Sequence, residues 1–120
     1  MQLPKPNSQL VSDFMESFGQ LPNTLPKDKL LYLRSRLIQE EYYEFVDAKT
    51  DIDRLDALAD LLYVVYGAAH ALGYDIDGAF REVHRSNMSK LDSDGKPIYR
   101  EDGKVMKGPN YTPPDLHPFV

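Results

Sequence analysis

Along the first three quarters of the chain, apolar residues recur at intervals of three and four, the spacing of one face of an α-helix. From Ser8 to Phe18 such a stripe is formed by Leu10, Val11, Phe14, Met15 and Phe18, and Gly19 ends it. Pro4 and Pro6 make the residues before it an extended arm. The link from Gln20 to Pro26 holds two prolines, after which Lys27 to Ala48 runs without a breaker. Lys49-Thr50-Asp51 reads as a turn, with Asp51 placed to cap a third helix that continues to Leu72 and stops at Gly73. Asp75 is placed to cap a fourth helix, which runs to about Leu91.

The C-terminal segment changes character. Asp94-Gly95 and Asp102-Gly103 mark tight turns around two short strand candidates, Pro97–Arg100 and Lys104–Met106. Beyond them Pro109, Pro113, Pro114 and Pro118 exclude further helix and predict an extended tail. The expected fold is therefore all-α: a four-helix bundle with a small C-terminal β-hairpin and an extended tail. With 120 residues the chain suffices for a single domain, read as a helical core over 1–91 and a hairpin and tail over 92–120.

Acidic residues interrupt the apolar stripes at defined places. On a helix advancing about 100° per residue, Glu44 lies about 40° and Glu41 about 100° from Glu40, while Leu33, Leu37 and Leu30 fall at about 20°, 60° and 80°. Glu-Glu-x-x-Glu on ordinary solvated surface would sit opposite the leucines; here it continues their stripe and is expected to face the bundle interior. In the third helix Asp56, Asp53, Val64 and Ala57 lie within about 60° of Asp60, again mixing acids with apolar residues. Asp51 and Asp53 are accounted for by the positive end of the helix dipole. Asp60 stands more than two turns inside, against the apolar run Leu61–Tyr66, which is expected to be buried. Carboxylates in such surroundings persist by protonating, pairing with bases or binding cations. An all-oxygen donor set suits Mg²⁺ or Mn²⁺ over zinc, and the Glu-x-x-His pairs of a di-iron bundle do not occur. His70, about 80° from the Asp60 direction, is expected to be a core or interface histidine.

Charge refines this picture. The formal net charge is -5, from 14 Lys+Arg and 19 Asp+Glu, which argues against a binder of nucleic-acid polymers. From His84 to Tyr111, however, 6 basic residues meet 4 acidic ones, so the acidic body carries a mildly basic segment. Arg85, Lys90, Lys104 and Lys107 are the candidate phosphate partners there. Asn87, on the helix face of Lys90, and Tyr111 are candidates to meet a base or ribose. There is no cysteine, which permits a reducing cytoplasm. The first residues lack the apolar core of a signal peptide, and the stretch Leu61–Gly73 is shorter than the roughly 20 residues a bilayer span takes, so a soluble protein is expected.

Taken together, Glu40-Glu41-x-x-Glu44 followed after a loop by Asp56-x-x-x-Asp60-Leu61-Leu62-Tyr63 resembles the MazG-like all-α pyrophosphohydrolase superfamily. That superfamily includes MazG, dimeric dUTPases and phosphoribosyl-ATP pyrophosphohydrolase. Its pattern is Glu-Glu-x-x-Glu, a spacer, then Glu-x-x-Asp. This sequence departs where Ala57 replaces the second glutamate, with Asp56 one residue earlier as the substitute. The resemblance implies hydrolysis of a nucleoside triphosphate to monophosphate and pyrophosphate with two or three Mg²⁺ or Mn²⁺ ions. Glu40, Glu41, Glu44, Asp56 and Asp60 would hold them, with Glu40 or Glu41 as general base. Val83–Lys90 and Asp102–Tyr111 resemble a bacterial and phage subgroup, some of whose phage members act on dGTP and dATP. A homodimer or homotetramer in the cytoplasm of a bacterium or phage host is the corresponding expectation. The competing reading is a non-catalytic acidic module that binds a nucleotide or a partner.

Overall fold

The computed structural model describes residues 3–120, so Met1 and Gln2 of the expected arm lie outside the described residues. Four helices come first: α1 (Asn7–Ser17), α2 (Lys27–Asp47), α3 (Asp51–Leu72) and α4 (Ile76–Met88). Two short strands follow, β1 (Ile98–Tyr99) and β2 (Val105–Met106), then a 3-10 turn at His117–Phe119. The expected all-α class, four helices and C-terminal hairpin are all present.

The boundaries differ from the sequence reading in instructive ways. Thr50, not Asp51, caps α3, its hydroxyl oxygen accepting from the Asp53 amide at 3.1 Å, and Asp51 becomes the first helical residue. Helix α4 stops at Met88, short of Leu91, where the Ser89 hydroxyl donates to the Ser86 carbonyl at 2.6 Å and competes with the helical pattern. Pro118 does not prevent the 3-10 turn, because it sits in the first residues of that turn, whose amides need no internal partner.

The chain divides into two compact units, residues 1–74 and 75–120. In the first, α3 packs against both α1 and α2. Val11 and Met15 of α1, Leu30 of α2 and Ala71 of α3 form the buried core, with Tyr66 and Leu72 against it. Ala57, Gly67 and Ala71, buried on one side of α3, are small enough to let its neighbours approach closely, and Ala69 is buried on another side. Helices α2 and α3 run antiparallel in a constant register. Leu30 shares the core with Ala71, Arg34 lies against Gly67, and Glu41 faces Asp60, intervals of four and seven on both helices.

The second unit is built on its own contacts. Asp75 caps α4 through the Gly78 amide at 3.0 Å, and the Asp75 amide donates to the Phe119 carbonyl at 2.9 Å. The tail runs back along α4: Ser86 donates its hydroxyl to the Thr112 carbonyl at 2.8 Å, and the Asp115 amide donates to Glu82 at 2.7 Å. In the hairpin Ile98 pairs with Met106 and Tyr99 with Val105. Gly103 closes it at φ 86°, a left-handed conformation that glycine adopts at little cost.

Helix α3, at 22 residues, is long and apolar enough by length and composition to cross a membrane, so the sequence-based count from Leu61 to Gly73 understated it. Only 22% of its most apolar 18-residue stretch is buried, and Leu62 and Tyr63, expected inside, are 55% and 41% exposed.

Candidate active site

The acidic residues collect at the end of the α2–α3 pair that lies next to the Ala48–Thr50 turn. One carboxylate oxygen from each of Glu41, Glu44 and Asp60 lies within 4.8 Å of the other two. Helical spacing supplies Glu41 and Glu44 on adjacent turns of α2, and the antiparallel register brings Asp60 across to meet them. Beside the triad a groove of about 610 Å³ is lined by Glu40, Tyr43, Glu44, Asp47, Asp53 and Asp56, with Ala57 in its wall.

The expectation that these glutamates face a closed bundle interior is corrected here: Glu40 and Glu44 are exposed and Glu41 is half-buried. The physical reason is the placement of α1, whose buried residues Val11 and Met15 meet Leu30, Gly67 and Ala71 at the opposite end of the α2–α3 pair. Partial burial is nevertheless enough to perturb the acids. Desolvation pushes the Glu41 carboxyl above the usual carboxylate range, and a hydrogen bond with Glu44 and the charges of Glu44, Asp60 and Glu40 push the same way. Desolvation likewise raises Asp60, reinforced by Asp56 and Glu44. Glu41 Oε2 is sealed from solvent with no hydrogen-bond partner among the described residues.

This donor set fits a hard divalent cation. Carboxylate oxygens converge, one is buried without a partner, and no described ion pair involves any of the three residues. Glu41, Glu44 and Asp60 would hold the ion, and Glu40 and Asp56 stand beside them on the groove.

Ala57 is 2% exposed, packed where α3 meets α2, and Asp56 occupies the exposed neighbouring position on the groove. Three lining residues were not singled out from sequence as ligands: Tyr43, Asp47 and Asp53. The signal for two of them was there, since Glu40, Tyr43, Glu44 and Asp47 follow the i, i+3, i+4, i+7 spacing of one helix face. Asp53 had an adequate explanation in the helix dipole, which the groove adds to.

Residues 11–87 match the phosphoribosyl-ATP pyrophosphohydrolase family, a span that contains all five carboxylates. The chain belongs to this family. A second similarity is to an uncharacterized protein of Acanthamoeba polyphaga mimivirus, 32% identical over 111 residues. The match covers 84% of this chain and 42% of the viral protein, so the chain spans about two fifths of that relative's length.

The candidate substrate residues of the basic segment all belong to the second unit. Arg85 is engaged there by the tail: its guanidinium donates to Glu82 at 2.6 and 3.0 Å, to the Thr112 hydroxyl at 2.7 Å and to the Pro113 carbonyl at 3.3 Å. Tyr111 is half-buried, with the Lys107 ammonium 4.8 Å from its ring centre, a cation–π contact. Asn87 and Lys104 are exposed and Lys90 is half-buried. Outside the candidate set, His70, expected in the core or at an interface, is half-buried, its Nε2 lying 3.2 Å from the Gln20 carbonyl.

Proposed function

We propose that the chain hydrolyses a nucleoside triphosphate at the α-phosphorus, releasing the monophosphate and pyrophosphate. The observation that carries this reading is the convergence of Glu41, Glu44 and Asp60 beside an open groove, on a chain of a pyrophosphohydrolase family. Mg²⁺ or Mn²⁺ bound by these carboxylates would supply positive charge for the triphosphate, and Asp56 and Glu40 extend the donor set toward two or three ions. Glu40 lies on the groove outside the triad and is assigned as the base. Its carboxylate takes a proton from the attacking water as the oxygen–phosphorus bond forms. The bond from the α-phosphorus to the bridging oxygen breaks, and pyrophosphate departs with the electron pair.

The basic residues Lys90, Lys104 and Lys107 are assigned to the phosphates, and Asn87 to the sugar or base. Arg85 is left out of this set because the tail already uses its donors. A homodimer is part of the same reading, since the exposed apolar surface of α2 and α3 would then be covered by a second copy, in a cytoplasmic setting.

Product analysis tests the assignment. The chain, with Mg²⁺, is incubated with the ribo- and deoxynucleoside triphosphates and with phosphoribosyl-ATP, the substrate in the family's name. Pyrophosphate and a monophosphate are expected, with dGTP and dATP turned over faster than dUTP and dCTP. Release of orthophosphate would overturn attack at the α-phosphorus. Mn²⁺ binding without turnover of any substrate would favour a non-catalytic nucleotide-binding module.

A further inference from the structure

Arg34 is a charged group that the acidic groove does not use. It stands four residues after Leu30 and seven before Glu41, on the α2 face that packs against α3. Gly67 leaves room for it: a methyl group there would lie 3.1 Å from Arg34 Nη1. Arg34 Nε is sealed from solvent, and no group among the described residues accepts a hydrogen bond from it. A guanidinium in apolar surroundings ordinarily faces a carboxylate or phosphate, which compensates for its lost hydration. Here burial pushes Arg34 below the usual guanidinium range.

The same side chain lines a cavity of about 290 Å³ between α1, the α1–α2 link, α2 and α3. Met15, Leu21, Leu25, Leu33 and Ala71 make its walls apolar, and Thr24 adds a hydroxyl. Leu21, Leu25 and Leu33 are exposed, so the cavity opens to solvent and is not an interior void. Its size is at the lower end of small-molecule sites, which begin at about 300 Å³. Its charge is opposite to that of the acidic groove, and two helical turns, about 10 Å, separate Arg34 from Glu41 along α2.

We propose that this cavity binds a small amphipathic anion, with a short apolar body against the leucines and a carboxylate or phosphate head on the terminal amino groups of Arg34. Both walls belong to residues 1–74, and a ligand there would fasten the α1–α2 link to α2 and α3.

Hexanoate, hexyl phosphate and 1-hexanol serve as probes, titrated calorimetrically into the full chain without divalent cations or nucleotide. Failure here is therefore separate from failure of the hydrolase reading. At least one of the two anions is expected to bind once per chain and to raise Tm, and the tighter one identifies the head group. Hexanol should bind at least about tenfold more weakly, since it lacks the charge-assisted hydrogen bonds. Arg34→Met should lose about tenfold or more, and Leu25→Trp, which fills the mouth from an exposed position, should also block binding even if the arginine variant fails to fold. Glu41→Gln should bind as wild type. The proposal is overturned if neither anion saturates, if hexanol matches them, or if Arg34→Met or Leu25→Trp binds like wild type. Loss of a dimer in Arg34→Met, without anion binding by wild type, would assign the guanidinium to a carboxylate of a second copy and likewise overturn it.

Discussion

Glu41 concentrates the chemistry of the acidic groove in one side chain, with a buried oxygen that has no partner and three acidic neighbours that raise its pKa. Because its folded pKa lies above the ordinary 4.5, its ionisation weakens the fold. Stability is intact below the ordinary value and falls as pH rises through the raised one. Glu41→Gln should therefore raise Tm at neutral pH without metal and match wild type near pH 4. Mn²⁺ should raise Tm in wild type and much less in the variant. Thermal unfolding across pH, with and without Mn²⁺, reads both effects, and a less stable variant at pH 7 would defeat the repulsion argument. Turnover should fall at least about a hundredfold, since even partners behind metal ligands are worth about 10–100-fold. Glu82 behaves in the opposite sense. The Arg85 guanidinium, and then the Asp115 amide, lower its pKa from 4.5 to about 2. Its contribution is present above pH 4.5 and lost as pH falls toward 2, so Glu82→Gln should flatten that part of the acid-unfolding curve.

At the scale of elements, the α2–α3 pair does most of the organising. Its register sets Arg34 against Gly67 and Glu41 against Asp60, so one antiparallel contact carries an apolar core, a half-buried cation and an acidic cluster in succession. The α4 element depends on a close approach of a different kind. A methyl group on Gly78 would stand 2.5 Å from Asp75 Oδ2 and 2.6 Å from the Phe119 ring. Gly78→Ala should therefore displace the cap and the C-terminal turn together, at a cost of about 1–3 kcal/mol. Faster proteolysis of the tail, followed by mass spectrometry, would show this, and an unchanged cleavage rate would mean the tail is held elsewhere.

For the whole molecule, the exposed apolar surface is the outstanding property. Ile52, Leu55, Leu58 and Leu62 on α3, with Tyr42, Tyr43 and Val46 on α2, are all exposed. Surfaces of this kind mark interaction sites, and a second copy is the partner expected from the proposed function. Leu58→Lys, which places a charge in the middle of that face, should shift the chain toward monomer in sedimentation. If wild type is itself monomeric across the micromolar range, the self-association reading fails.

Much of this was legible in the sequence because it depends on local rules. Helix spans followed from the spacing of apolar residues and from breakers such as Gly19 and Gly73, and the hairpin from Asp94-Gly95 and Asp102-Gly103. Glu41, Glu44 and Asp60 were recognisable because they interrupt apolar stripes at helical intervals. Tertiary structure decided what those intervals leave open. Whether the acids sit in a closed interior or an open groove depends on how far α1 reaches along the α2–α3 pair, a long-range matter that periodicity does not encode. The engagement of Arg85 by a tail more than twenty residues downstream has the same origin. So does the setting of Arg34: its sequence position is that of an ordinary helical arginine, and only the packing against Gly67 takes its Nε out of water with no acceptor among the described residues.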